Sequence, residues 1–271
     1  MRLLSWNYLN PRLLLAMWRS SYGLPLLNEK KDYDIYNYHR LMRVTQALRH
    51  YNADVICLQE ISRDVEYGFT IPFHYFIAQQ LGMIVAAESY KGAPFRFDYP
   101  PNEKRQVLSV DTGVCILTKP EYQLTNIITR EMSSGVTSPF ITGELITPTQ
   151  VINLSTVHIR MQNGQIRDPV IDYLRANAGI DFDNGVIMGD FNGGSRPQQL
   201  VESGITVLNH PFPLNIDDQI FYGNFLLNSQ SYMSSEPLLT INANSQQAAA
   251  NWDLLQRGEA TSDHQCIIFD M

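Results

Sequence analysis

Short apolar runs, each ending in a small polar cluster, recur along this chain from its first residues to its last. The five clusters are Ser5-Trp6-Asn7, Leu58-Gln59-Glu60, Thr156-Val157-His158, Gly189-Asp190-Phe191-Asn192 and Ser262-Asp263-His264. Short apolar runs bounded by polar residues are typical of buried strands. Because a carboxylate, a carboxamide or an imidazole is costly to bury without a partner, its recurrence at strand ends indicates that these side chains meet at one edge of a sheet.

The order of the predicted elements favours a layered α/β fold. Strands are predicted at 3–6, 54–58, 83–87, 112–118, 122–130, 140–147, 151–158, 185–189, 218–223 and 265–270. Helices are predicted at 33–51, in the second part of 62–81, at 168–178 and at 198–203. The proline-rich segment 90–105 is predicted to be a long irregular loop. Many strands with few helices between them indicate a four-layered α/β sandwich, in which two packed mixed β-sheets are flanked by helices.

Length and composition limit the classes of protein to which this chain can belong. The 271 residues contain no linker-like segment, so we expect one catalytic domain spanning 1–271, and a monomer. The longest apolar stretches are about five residues, far below the roughly 20 of a membrane span. Three cysteines, all inside predicted strands, speak against a disulfide framework. Apolar character begins at Leu3, so we expect a protein that is cytoplasmic or exported without an N-terminal signal peptide.

The charge of the chain bears on its partners. A net charge of −7 argues against a broad basic surface that grips nucleic acid through its phosphates. It does not exclude a nuclease, because a bound divalent cation and a few arginines can supply the positive field locally.

Two of the clusters offer oxygen ligands for a metal. A hard cation such as Mg²⁺ binds one or two protein oxygens and leaves its other positions to water and phosphate. Glu60, at the end of a strong apolar run, is the leading ligand candidate, and Asn7 can add a carbonyl oxygen or orient a metal-bound water. Taken singly, Glu60 is better explained by a solvated strand end, and Asn7 by a turn.

The remaining clusters supply acid–base groups. Asp190 and Asn192 alternate about a phenylalanine, so both side chains are predicted to point the same way. One can activate a water while the other donates a hydrogen bond to a phosphate. His264, beside Asp263, can be held charged and directed at a phosphoryl group.

A second imidazole, His158, closes a predicted strand and needs an orienting partner. Asp218 is the best candidate because it stands immediately before a strand, and Asp217 is the alternative one residue away. A single histidine is more often structural, so the inference depends on the other clusters.

Three further features have open interpretations. Arg160 follows His158 by two residues and can bind a phosphate, or it can be a solvated strand end. The alternating aromatics Phe95, Phe97 and Tyr99 can stack on bases or enter a lipid interface, although such rings more often pin a loop to the body of a protein. The apolar segment 13–27 is predicted to be a packed helix or loop.

Together, these motifs resemble the endonuclease/exonuclease/phosphatase superfamily, which includes deoxyribonucleases, apurinic endonucleases, sphingomyelinases and inositol-polyphosphate phosphatases. The resemblance spans nearly the whole chain. It is carried by Ser-Trp-Asn at 5–7, Asp-Val-Ile-Cys-Leu-Gln-Glu at 54–60, Thr-Gly-Val-Cys-Ile-Leu at 112–117, the histidine at 158, Gly-Asp-Phe-Asn at 189–192, the Ile-Asp strand ending at 221 and Ser-Asp-His at 262–264.

The resemblance implies a role for each residue. Glu60 would be the principal Mg²⁺ ligand, with Asn7 and Asp263 close by, and Mn²⁺ would be a possible substitute. Asp190 would activate the attacking water and Asn192 would bind the scissile phosphate. His264, oriented by Asp263, and His158, paired with Asp218, would stabilise the transition state, and His158 would help protonate the leaving oxygen.

The expected activity is therefore Mg²⁺-dependent hydrolysis of a phosphodiester by in-line attack of water, with nucleic acid as the expected substrate. The alternative within the same mechanism is hydrolysis of a phospholipid or a phosphorylated small molecule, such as sphingomyelin or a phosphoinositide. A catalytically inactive binding domain of the same fold is a third interpretation. The presence of the whole residue set argues against it.

Overall fold

The computed structural model describes residues 1–27, 30–65, 68–90, 95–99, 106–110, 112–131, 139–159, 184–192, 217–223, 226 and 228–271. The strands are β1 (Arg2–Asn7), β2 (Val55–Ile61), β3 (Ile84–Tyr90), β4 (Phe95–Tyr99), β5 (Gln106–Val110), β6 (Gly113–Thr118), β7 (Gln123–Glu131), β8 (Pro139–Ile146), β9 (Val151–His158), β10 (Gly185–Asp190), β11 (Asp218–Tyr222), β12 (Gln230–Met233) and β13 (Ile267–Asp270). The helices are α1 (Pro11–Ala16), α2 (Lys30–Tyr51), α3 (Phe73–Leu81) and α4 (Ser245–Gln256).

Most strands belong to two mixed sheets, as predicted. The first has the order β12-β13-β1-β2-β6-β3, and only β1 and β2 are paired in parallel within it. The second has the order β11-β10-β9-β8-β7, with β9 and β10 in parallel. Strands β4 and β5 form a separate hairpin.

The alternation of side chains along β1 shows how the layers pack. Leu3 belongs to the buried core between the two sheets, whereas Leu4 and Trp6 belong to the core under α2 and α3. Successive side chains of a strand point to opposite faces. Ser5 and Asn7 are therefore on the face that meets the second sheet.

The structure departs from the sequence prediction in five elements, which are β4, β5, β12, α1 and α4. The predicted loop 90–105 contains β4, which pairs with β5. The short polar strand β12 and the helices α1 and α4 were not individually predicted. Helix α4 buries only Asn251 and Leu255, so its buried face leaves no apolar period in the sequence. The predicted helices 168–178 and 198–203 lie outside the described residues.

None of the helices among the described residues combines the length and the apolar character that a membrane span requires.

Gly189 is required by the close pairing of β9 and β10. Its φ is +151°, and a Cβ at this position would lie 2.1 Å from the backbone oxygen of Val157. We expect Gly189→Ala to lower the free energy of unfolding by about 3 kcal/mol, because the strand backbone must move to admit the methyl group. Urea denaturation measures this loss.

Gly82 is the matched control for this substitution. It also has a left-handed φ, +67°, but a Cβ there would meet nothing within 4 Å. We expect Gly82→Ala to cost only about 1 kcal/mol, the conformational term alone. Equal losses in the two variants would show that the contact with Val157 does not matter.

Candidate active site

The directions of the strands bring the predicted residues to one end of the two sheets. Because β1 and β2 are parallel, Asn7 pairs with Gln59 at their carboxyl ends. In the second sheet, His158 ends β9 and pairs with Asp190, which ends β10. Strand β11 runs antiparallel to β10, so its first residue, Asp218, is the other neighbour of Asp190.

Two side-chain hydrogen bonds join the sheets at this end. Asn7 donates from Nδ2 to Oδ2 of Asp190 over 2.9 Å. Gln59 donates from Nε2 to Oγ1 of Thr156 over 3.1 Å and to Oγ of Ser5 over 3.1 Å. These bonds satisfy polar groups that the packing of the sheets buries, and they fix the position of Asp190 relative to β1.

Asp190 lies at the centre of the site. Its side chain is almost fully buried, with 1% exposed. Its Oδ2 lies 3.4 Å from Nε2 of His158 and 3.9 Å from Nε2 of His264. Asn192 donates from its backbone N–H to Oδ1 over 2.7 Å and from Nδ2 to Oδ2 over 3.1 Å. One carboxylate therefore contacts both imidazoles and two carboxamides.

Asn192 reaches Asp190 by a turn rather than by strand alternation. Strand β10 ends at Asp190, and Asn192 has a left-handed φ of 51°. Its Nδ2 also donates to the backbone oxygen of Ile159 over 2.6 Å. The side chain thus folds back over the end of the strand, and its amide hydrogens point at groups of the site.

Glu60 is directed into the site by a β-bulge. The pairing of β2 with β6 shifts between Gln59 and Ile61, and Glu60 has a left-handed φ of 62°. Regular alternation would have directed Glu60 toward α2 and α3, because Leu58 belongs to the core on that side. Instead, its Oε1 lies 3.9 Å from Nε2 of His158.

The loop before β13 carries the Asp263-His264 pair. Ser262 donates from Oγ to the backbone oxygen of Asn7 over 2.6 Å, and Nε1 of Trp6 donates to the backbone oxygen of His264 over 2.9 Å. Both bonds attach the loop to the end of β1. The Oδ1 of Asp263 lies 3.8 Å from Nε2 of His264.

The structure corrects the predicted partner of Asp218. The sequence paired Asp218 with His158, but Oδ2 of Asp218 lies 3.0 Å from Nδ1 of His264. His158 instead lies against Asp190 and Glu60. Asp217, the alternative to Asp218, is exposed.

The buried charges shift the acidity of the site. Burial raises the pKa of Asp190 to about 7; His264 opposes this shift and Asp218 adds to it. Burial also raises the pKa of Asp218. Burial by itself lowers the pKa of His264, but the surrounding carboxylates outweigh it and hold that pKa well above its ordinary value. His264 is therefore a cation held among acidic groups.

Arg40, which supports the site from α2, was not predicted from the sequence. Its side chain is buried, with 1% exposed. Nη1 donates to the backbone oxygens of Tyr8 and Thr261, and Nη2 to that of Leu9, each over 2.6 Å. It thereby joins the loop after β1 to the loop before β13. The available signal was a charged residue on the same face of the predicted helix as Val44.

Tyr22 and Asn10 also contact the site and were not predicted. Tyr22 donates from its hydroxyl to Oδ2 of Asp263 over 2.8 Å. Burial, and then the charges of Asp263 and Glu60, raise the pKa of Tyr22 far above its ordinary value, so the phenol keeps its proton. Asn10 donates from its backbone N–H to Oε2 of Glu60 over 2.8 Å.

A divalent cation fits the chemistry of these donors. The site contains four carboxylates and two imidazoles, from Glu60, Asp190, Asp218, Asp263, His158 and His264. Among the described residues, Asp190, Asp218 and His264 each offer a ligand atom, and these atoms lie within 4.8 Å of one another. Such a concentration of buried negative charge is stabilised by a cation.

The donors of the site differ in how well they suit a hard cation. His264 already uses its Nδ1 for Asp218. Glu60 and Asp263 offer carboxylate oxygens, which a hard cation prefers to imidazole nitrogen. Arg160 lies outside the described residues, as do the side chains of the aromatics in β4.

No protein-family model matches the sequence, and no curated protein matches it. Solved structures do match. An endonuclease/exonuclease/phosphatase family protein from Leptotrichia buccalis is 13% identical with a TM-score of 0.58, and the alignment covers 100% of this chain and 99% of the other. ANGEL2, a 2′,3′-cyclic phosphatase in complex with adenosine-2′,3′-vanadate, is 14% identical with a TM-score of 0.58, over 99% and 94% of the two chains. D. rerio TDP2, complexed with a single-strand DNA product, is 13% identical with a TM-score of 0.53, over 100% and 99%. With two packed mixed sheets and nearly full-length superposition, the chain has the fold of the endonuclease/exonuclease/phosphatase superfamily.

Proposed function

We propose that this protein is a Mg²⁺-dependent phosphodiesterase that hydrolyses nucleic acid by in-line attack of water. The observation that carries the proposal is the position of Asp190, a buried carboxylate in contact with two imidazoles and two carboxamides. A base among hydrogen-bond donors is the arrangement that phosphoryl transfer to water requires. We also propose that residues 1–271 form one catalytic domain, because both sheets contribute side chains to the site.

Glu60, Asn7 and Asp263 would hold the metal ion. When bound, Mg²⁺ neutralises charge on the phosphate and polarises it toward attack, and Mn²⁺ is a suitable substitute. Each of the three side chains has an oxygen at the shared end of the sheets, and two of them are carboxylates.

Asp190 would orient the attacking water and accept its proton. Asn7 and Asn192 both donate to Oδ2 of Asp190, which fixes the plane of the carboxylate. Holding base and water in a single geometry removes much of the entropic cost of the reaction. Asn192 would bind the scissile phosphate by exchanging its Nδ2 bond to the backbone oxygen of Ile159 for a bond to a phosphate oxygen.

His264 and His158 would stabilise the phosphate from its two sides. Asp218 keeps His264 charged and sets the orientation of its ring through Nδ1, so Nε2 faces the site. His158, which lies between Glu60 and Asp190, would donate a proton toward the leaving oxygen. We propose Arg160 as a further phosphate contact.

The choice of nucleic acid is supported by the folds that superpose on this one. TDP2 was solved with a single-strand DNA product and ANGEL2 with adenosine-2′,3′-vanadate. Both ligands contain nucleosides, the building blocks of nucleic acids. The net charge of −7 makes a local metal the principal source of attraction for such a substrate.

The test is a substrate panel with and without metal. Purified protein is incubated with single-stranded DNA, plasmid DNA, RNA, sphingomyelin vesicles and inositol phosphates in the presence of Mg²⁺, Mn²⁺ or a chelator. We expect product from nucleic acid only, and none with the chelator. Product from the lipid or the inositol phosphates alone would overturn the substrate assignment. No product from any of them would overturn the enzymatic proposal.

A further inference from the structure

The segment between β1 and α2 donates one hydrogen bond to each of the three proposed metal ligands. The backbone N–H of Leu9 donates to Oδ1 of Asn7 over 3.1 Å. The backbone N–H of Asn10 donates to Oε2 of Glu60, and the hydroxyl of Tyr22 donates to Oδ2 of Asp263, each over 2.8 Å.

We propose that this segment, residues 9–22, sets the affinity of the site for its divalent metal, and that Tyr22 is the positioning residue that holds Asp263. The inference rests on the function proposed above. It extends that function to three residues outside the ligand set. Hydrogen bonds from outside a metal's ligands orient those ligands, and their loss typically weakens binding 10- to 100-fold.

The geometry at Asp263 shows how Tyr22 acts. The hydroxyl of Tyr22 donates to Oδ2 of Asp263, while Oδ1 of Asp263 lies 3.8 Å from Nε2 of His264. One oxygen is therefore held outside the centre of the site and the other is turned toward it. Without the hydroxyl, the carboxylate would keep only the long 3.4 Å contact of its Oδ1 with Oγ of Ser262, and it would sample other orientations about χ2.

Tyr22 is itself rigidly held. The side chain is fully buried, and its backbone oxygen accepts a hydrogen bond over 3.0 Å from Nδ2 of Asn251, in α4. The same Asn251 holds the backbone of Thr240 through two more bonds. The next residue, Gly23, has a left-handed φ of +65°, and a Cβ there would lie 2.6 Å from the Cβ of Ala248. Helix α4 thus fixes the residue that fixes Asp263.

Of the three donors, only that of Tyr22 belongs to a side chain, so it can be removed cleanly. We expect Tyr22→Phe to weaken binding of Mn²⁺ about 10-fold, measured by calorimetry and by electron paramagnetic resonance of the free ion. The metal concentration for half-maximal hydrolysis should rise by the same factor. The rate at saturating metal should stay within about 3-fold, because Tyr22 acts through Asp263 and does not touch substrate.

Tyr33→Phe is the matched control. Tyr33 is also buried, and its hydroxyl accepts a hydrogen bond from the backbone N–H of Leu27 over 3.0 Å, within the same apolar cluster as Tyr22. Its hydroxyl is bonded to the backbone and not to a ligand. We expect Tyr33→Phe to bind Mn²⁺ as the unaltered protein does. Equal weakening in both variants would attribute the effect to general packing and overturn the inference.

Glu60→Ala separates failure of this inference from failure of the proposed function. If Glu60→Ala weakens Mn²⁺ binding and Tyr22→Phe does not, the role of Tyr22 is wrong and the metal site stands. If neither variant changes binding, the assigned metal site itself is wrong. Should Tyr22→Phe not fold, Asn251→Ala releases the backbone of Tyr22 and should weaken Mn²⁺ binding about 3-fold. Unchanged binding in that folded variant would overturn the inference.

Discussion

We expect Asp190→Asn to lower the turnover number for phosphodiester hydrolysis by about 10³-fold at saturating metal. Asparagine keeps the shape of the side chain but cannot accept the proton of the attacking water. It also places an amide nitrogen against a donor, because Oδ1 and Oδ2 of Asp190 both accept hydrogen bonds. Single-turnover hydrolysis of the substrate identified in the panel measures the loss.

Asp54→Asn is the matched control for Asp190→Asn. Asp54, like Asp190, accepts hydrogen bonds at its carboxylate, from the backbone N–H of Arg2 and from Nζ of Lys119, each over 2.8 Å. It lies just before β2, at the opposite end of the strand from Glu60. We expect this variant to lose stability and keep its turnover number. An Asp190→Asn variant with more than a tenth of the original activity would contradict the assignment of Asp190 as the base.

The second large effect concerns the pairing of Asp218 with His264. We expect His264→Ala to reduce turnover about 10³-fold and Asp218→Asn about 10²-fold. If Asp218 acts through His264, the double variant should be no slower than His264→Ala alone, because residues that act as a unit are not additive. Binding of Mn²⁺ should change little in His264→Ala, since the proposed ligands stay in place.

The same cycle with His158 tests the alternative pairing. We expect the losses from His158→Ala and Asp218→Asn to multiply, because the structure places Asp218 on the other imidazole. The reverse result has two parts: the losses from His264→Ala and Asp218→Asn multiply, and the double variant of His158 and Asp218 is no slower than His158→Ala alone. That result would restore His158 as the partner of Asp218, as the sequence predicted.

Much of the fold was predictable because burial leaves a local pattern. The run Val55-Ile56-Cys57-Leu58 is apolar on both faces because it lies inside a sheet covered on both sides, and the sequence shows this directly. Helix α4 was missed because its burial leaves no such local pattern. It is held by polar contacts such as those of Asn251, which bonds to the backbone of Tyr22 and Thr240, and hydrogen bonds between distant residues produce no period in a sequence.

Within the site, the sequence predicted which residues lie together at one end of the sheets better than it predicted how they are arranged. Glu60 was a candidate because it ends an apolar run, but its orientation comes from a bulge that alternation cannot predict. Arg40 and Tyr22 were missed because their partners are distant in the sequence. Arg40 bonds to the backbone oxygen of Thr261, 221 positions away, and Tyr22 bonds to the carboxylate of Asp263, 241 positions away.

The sequence by itself determined most of the strands and the polar residues that end them, because burial of alternate side chains and the cost of isolated polar groups act on neighbouring positions. Only the tertiary structure decided the partners. Asp218 meets His264 rather than His158 because the loop before β13 is tied to the end of β1 by Ser262 and packs across the first residue of β11. Contacts between two sheets depend on how the sheets pack, and that information is spread over the whole chain.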